Sequence, residues 1–163
     1  MLAPAGKNNF QQANDLIAYY PFNGNANDES GNGNHGTVIG ASPVKDRFGN
    51  ENSAYSFDGV NDFIEIGRPL VSGDFTISFW LKSNGRQNQF AVPISQGNMN
   101  YRGFNFTFRK GLYNGFSWGT WSGKKISNSQ SRKNVWHTIE FNFSKDIDKD
   151  LTWHHLTATH KDN

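Results

Sequence analysis

The residues best equipped for chemistry lie in one polar loop, Asn23-Gly-Asn-Ala-Asn-Asp-Glu-Ser-Gly-Asn-Gly-Asn-His-Gly36. Asn23-Gly24, Ser30-Gly31 and Asn32-Gly33 each supply a residue that tolerates positive φ, so the backbone can fold back repeatedly and aim carbonyls and the Asp28 carboxylate inward. Asp28, Asn32 and main-chain carbonyls are hard oxygen donors of the kind calcium takes, with Asp58 as a further candidate ligand. The same side chains also bond neighbouring backbone amides and hold turns with no ion at all. An Asp-Gly hairpin turn accounts for Asp58 equally well.

The aromatic residues point to a different chemistry. Trp118, Trp121, Tyr101 and Tyr113 lie in Gly- and Asn-rich surroundings that read as loops or strand ends. There, flat rings can stack on the apolar face of a sugar while Asn and Arg bond its hydroxyls. Trp80, Trp136 and Trp153 are expected to pack between sheets instead.

Other patterns carry less. Gly115-Phe-Ser-Trp-Gly119 fits the nucleophile-elbow spacing, but a Gly- and Trp-rich segment follows it where a helix is required, so Ser117 reads as part of a strand or hairpin end. Asp146-Ile-Asp-Lys-Asp150 opens like an EF-hand loop, yet Leu151 stands where the sharp turn needs Gly and Thr157 where the bidentate Glu belongs. Adjacent His154 and His155 point to opposite faces of a strand and cannot chelate one ion together.

These residues need a scaffold, and the pattern supplies a β one. Leu16 to Phe22 is apolar and aromatic and ends near Pro21, which predicts a strand leading into the loop. Thr37–Gly40 predicts a short second strand and 41–52 a surface loop. Ser53–Phe57 and Phe63–Ile66 flank Asp58-Gly-Val-Asn-Asp62, which predicts a hairpin. Asp74–Leu81 alternates, with Phe75, Ile77, Phe79 and Leu81 on one face and Thr76, Ser78 and Trp80 on the other. Gly103–Arg109 and Val135–Phe143 repeat the alternation. Many short strands punctuated by turns, with no long helical period, predict an all-β sandwich or jelly roll of two antiparallel sheets.

Composition narrows the field further. At 163 residues the chain has the size of one domain, with 1–15 expected as a loose tail and 16–163 as the folded part. A net charge of +2 with interspersed signs gives no field for nucleic acid or an anionic membrane. No apolar run is long enough to span a bilayer, so no membrane insertion is expected. The chain has no cysteine, hence no disulfide framework and no thiolate site.

Ala18-Tyr-Tyr-Pro-Phe-Asn-Gly24, Asp28-Glu-Ser-Gly-Asn-Gly-Asn-His-Gly36, Ser56-Phe-Asp-Gly-Val-Asn-Asp-Phe63, Phe75-Thr-Ile-Ser-Phe-Trp80 and Trp153-His-His-Leu156 occur in this order along the chain. Together they resemble the laminin-G-like branch of the concanavalin A-like lectin and glucanase superfamily. The resemblance implies a jelly roll of two antiparallel sheets, used as a binding module in extracellular or cell-surface proteins, with a structural Ca2+ near the Asp28 loop. A carbohydrate-binding, non-catalytic role is the expectation, with a glycan as ligand. A protein-interaction or adhesion module, whose partner is a cell-surface or extracellular protein, is the alternative. Glycoside hydrolysis ranks third, because the Glu-x-Asp-x-x-Glu strand of the related glucanases is absent and the only glutamates are Glu29, Glu51, Glu65 and Glu140. Family members normally continue past the strand equivalent to Trp153-His-His with a closing strand, which implies an incomplete C-terminal edge here. An uncovered sheet edge favours pairing with a second copy, so a homo-oligomer is expected.

Overall fold

Strict alternation of apolar and polar residues governs the best-formed element of the chain, and it is visible in a computed structural model that describes residues 15–83, 90–97, 104–109, 116–120, 139–140 and 151–161. All regular structure among these residues is β, in small antiparallel sheets. This arrangement is compatible with a β-sandwich. Two compact units are present, Met1–Val71 and Ser72–Asn163.

In the first unit, β1 (Gly36–Ile39) pairs with β4 (Phe63–Ile66), and β2 (Ser42–Val44) pairs with β3 (Ala54–Ser56). The hairpin expected across Asp58–Asp62 is therefore not formed, since its two arms belong to different ladders. Asp58 still makes the local turn, accepting from Val60 N at 2.8 Å, while Asp62 closes the loop by accepting from Asp58 N at 2.9 Å. Turn chemistry bends the chain but does not choose the partner strand. The β2 strand falls where a loop was expected. Gly36 is required by close packing: a Cβ there would lie 2.7 Å from Ile64 Cγ2.

Leu16–Phe22, expected as a strand, joins no ladder. Its backbone is held by loop side chains and ends at Phe22 with φ of 56°. The Phe22 ring packs edge-on to Tyr55 at 5.3 Å, which ties the segment to β3. Ala26, Ala41 and Ala54 are the buried apolar residues among those described in this unit.

In the second unit, β5 (Phe75–Lys82) pairs with β10 (Trp153–His160) over its full length. A second sheet runs in the order β6 (Phe90–Gln96), β7 (Phe104–Arg109), β8 (Phe116–Thr120), β9 (Ile139–Glu140). The register of β6 against β7 breaks between Ala91 and Ile94, around Pro93, whose nitrogen has no hydrogen to donate to a ladder. The two sheets meet through rings. Phe75 lies 5.5 Å from Phe104, and Phe79 meets Phe106 edge-on at 5.1 Å. Phe104, Phe106, Leu156 and Ala158 are buried there, and full burial of a Phe or Leu contributes roughly 1.5–3 kcal/mol. The face assignment read from the β5 sequence thus places its four apolar residues toward the opposite sheet.

Candidate functional site

The Asp28 loop is a hydrogen-bonded knot built around one carboxylate. Asp28 is 5% exposed, and its Oδ1 accepts from Tyr19 N and Ser30 N while its Oδ2 accepts from Asn34 N, all at 2.9 Å. Burial alone would push this carboxyl up, but the hydrogen bonds from Tyr19, Ser30 and Asn34 outweigh it and lower it to about 2. The surrounding side chains pin the loop to the Leu16–Tyr20 segment. Asn32 Nδ2 donates to the carbonyls of Leu16 and Ile17, Asn34 Nδ2 donates to Ile17, and the Tyr20 hydroxyl donates to Asn34 O at 2.5 Å. Burial, with the Asp28 charge adding to it, pushes the Tyr20 phenol up to about 12, so the hydroxyl keeps its proton. Arg68 Nε donates to Asn34 Oδ1 at 2.7 Å from the far side.

The residues expected to hold calcium, Asp28, Asn32 and Asp58, are engaged in hydrogen bonds within the protein. Both Asp28 oxygens are committed to backbone amides, and the Asn32 amide nitrogen is turned to two carbonyls. Asp58 belongs to another loop, where amide hydrogen bonds from Val60, Asn61 and Asp62 hold its carboxyl below the usual range. Among the described residues, no three His, Asp or Glu side chains gather as a metal-holding group. Protein donors hold the shape of the loop.

The second candidate lies on the face of the β5–β10 sheet opposite the phenylalanines. Antiparallel register sets Thr76 beside Thr159, Ser78 beside Thr157 and Trp80 beside His155. Side chains directly opposite in such a pair share a face. The Trp80 and His155 rings stack at 4.9 Å with their planes 25° apart, and Trp80 remains 43% exposed. Ser78 Oγ lies 2.7 Å from His155 Nε2, Thr157 Oγ1 donates to Ser78 Oγ at 3.3 Å, and Thr76 and Thr159 hydroxyls meet at 2.9 Å. The result is a solvent-facing row of hydroxyls ending in an aromatic pair. Each hydroxyl keeps spare hydrogen-bonding capacity beyond these contacts, since it carries one donor and two acceptor positions.

The expectation that Trp80 packs between the sheets is corrected by this arrangement, because the inward positions of β5 are filled by its neighbours Phe79 and Leu81. Trp80 and His155 were not singled out as site residues from sequence. The usable signal was the alternation itself, which sets Trp80 with Thr76 and Ser78; the pairing with His155 depends on a register between distant segments. His154 and His155 do fall on opposite faces, with His154 Nε2 3.2 Å from Thr152 Oγ1. Of the expected sugar-binding aromatics, Trp118 sits inside β8 rather than in a loop, with its backbone opposite Phe106 and Ile139. Tyr101, Tyr113 and Trp121 lie outside the described residues. Ser117 is also within β8, opposite Thr107 and Glu140, so the strand-to-helix turn of a nucleophile elbow is not present at that position. No protein-family model, no curated protein and no solved structure matches the chain.

Proposed function

We propose that this chain is a non-catalytic carbohydrate-binding module, built as a laminin-G-like jelly roll and acting at a cell surface or outside the cell. The observation that supports this reading is the solvent-facing row on β5–β10, in which Trp80 and His155 stack beside the hydroxyls of Ser78, Thr157, Thr76 and Thr159. A pyranose presents an apolar C–H face and a rim of hydroxyls. An exposed indole takes the first and a polar ladder the second. One stacked ring with a few solvent-competing hydrogen bonds gives a binding free energy of about −4 kcal/mol, a Kd near 1 mM. Trp118, Trp121, Tyr101 and Tyr113 are proposed as further contacts for longer glycans.

A glycan array probed with the intact chain, followed by Trp80→Ala, tests the proposal. Binding lost in the variant supports it, and an array with no binding refutes it. A protein-interaction module is the second reading, and Val60, at 84% exposure, and Phe48, at 72%, are the apolar positions at which it is tested. It predicts a protein ligand that is retained by Trp80→Ala and lost on Val60→Asp. Pairing with a second copy through a sheet edge is part of the same proposal.

A further inference from the structure

We infer that Asn32 is a site of spontaneous backbone-assisted deamidation, and that Asn23, which has the same Asn-Gly sequence, is protected from it. In this reaction the Gly33 nitrogen attacks Asn32 Cγ and forms the new N–C bond. The Cγ–Nδ2 bond breaks, and Nδ2 leaves as ammonia with the proton given up by the Gly33 amide. Water then opens the succinimide ring to an aspartyl or an isoaspartyl residue. The nucleophile is a backbone nitrogen, so its engagement decides the rate.

The two sites differ in that respect. Gly24 N donates at once to Phe22 O at 2.8 Å and to Asn52 O at 2.7 Å, which ties up the nitrogen that would have to attack Asn23. Gly33 N has no acceptor among the described residues. Crowding does not separate the sites, since no atom lies within 4 Å of where a Cβ would stand at either Gly24 or Gly33. Both side-chain amides are held, Asn23 by one contact to Glu29 and Asn32 by two to the Leu16 and Ile17 carbonyls, so tethering opposes the reaction at Asn32 and the unengaged Gly33 nitrogen has to outweigh it.

The chemical change has a structural consequence. At Asn32 a donor that faces two carbonyl oxygens becomes a carboxylate facing the same oxygens. Two hydrogen bonds turn into repulsive contacts, and Leu16 loses its tie to the loop while Asn34 Nδ2 still holds the Ile17 carbonyl. Deamidation would therefore act as a slow clock on the knot around Asp28, independent of any glycan.

The test is peptide mapping by mass spectrometry of the intact chain aged at mildly alkaline pH, with a parallel sample in denaturant. In denaturant Asn23 and Asn32 should react at similar rates. In the folded protein Asn32 should convert about tenfold faster than Asn23, the ratio that corresponds to about 1.4 kcal/mol, which is within the range for one hydrogen bond. Limited proteolysis should then cut the aged protein near residues 16–17 sooner than the fresh protein. Equal rates in the folded chain, or faster conversion of Asn23, overturn the inference. The readout involves no sugar, so its failure leaves the carbohydrate proposal standing and the reverse also holds.

Discussion

Replacing Asp28 by alanine removes the acceptor around which the 26–36 loop is wound. Three backbone amides, Tyr19, Ser30 and Asn34, lose their partner in a place where the carboxylate was 5% exposed. Leaving a buried donor unsatisfied costs about 1 kcal/mol or more, and with the Asn34 bond buried and the Tyr19 and Ser30 bonds part-buried the three together give roughly 2–3 kcal/mol. The titration of Asp28 expresses the same three hydrogen bonds as a dependence on pH. Its fall from the ordinary 3.8 to about 2 corresponds to roughly 2 kcal/mol of stability. Because the folded value is the lower one, that stability is fully present above pH 4 and is lost as pH falls toward 2. Asp28→Ala should therefore lower Tm at pH 7 by roughly 5–10 °C for a chain of this size, and it should flatten the wild-type loss of stability between pH 4 and 2. Thermal unfolding followed by circular dichroism across that pH range measures both. Asp58→Ala, on an exposed turn, serves as the control and should change Tm far less. An Asp28→Ala protein that melts with the wild type at pH 7, and keeps the same acid limb, would refute the view that this carboxylate organises the loop.

Tyr20→Phe removes only the hydroxyl that donates to Asn34 O and should destabilise by about 1 kcal/mol, read as a lower urea midpoint with an unchanged slope. An unchanged midpoint would mean that the hydroxyl is replaced by water at no cost. Calcium added to metal-free protein should leave Tm where it is, since the Asp28 oxygens already accept from amides; a rise on addition that chelator reverses would restore an ion to the loop.

Much of the scaffold is legible in the residues because alternation is a local property. Phe75 to Lys82 states its own inward and outward faces, and the three phenylalanines at 104, 106 and 108 mark β7 in the same way. Partner choice is not local. Asp58-Gly59 and its flanks read as a hairpin, yet β3 turns back to β2, where Ala54 is buried, and β4 pairs with β1. Leu16–Phe22 has the composition of a strand, but its hydrogen bonds are supplied by Asp28, Asn32 and Asn34, so composition identified an extended segment and misjudged what holds it. The Asp28 loop was recognisable as a centre of organisation. Whether its oxygens face amides or a cation depends on atomic positions that Asn, Asp and Gly content leaves open. The Trp80–His155 pair required a register between segments 75 residues apart in the chain, set by the β5–β10 ladder. No turn signal encodes that register.

Glycan binding at the β5–β10 face is the central claim, and titration calorimetry on wild-type protein and Trp80→Ala tests it most directly. The ligand is the best oligosaccharide from the array, and circular dichroism verifies that the variant is folded. The wild type should bind with Kd near 1 mM or tighter, and the variant should lose at least about tenfold, the equivalent of one stacked ring at roughly 1.4 kcal/mol. A folded Trp80→Ala protein that binds the same glycan with wild-type affinity would contradict the account.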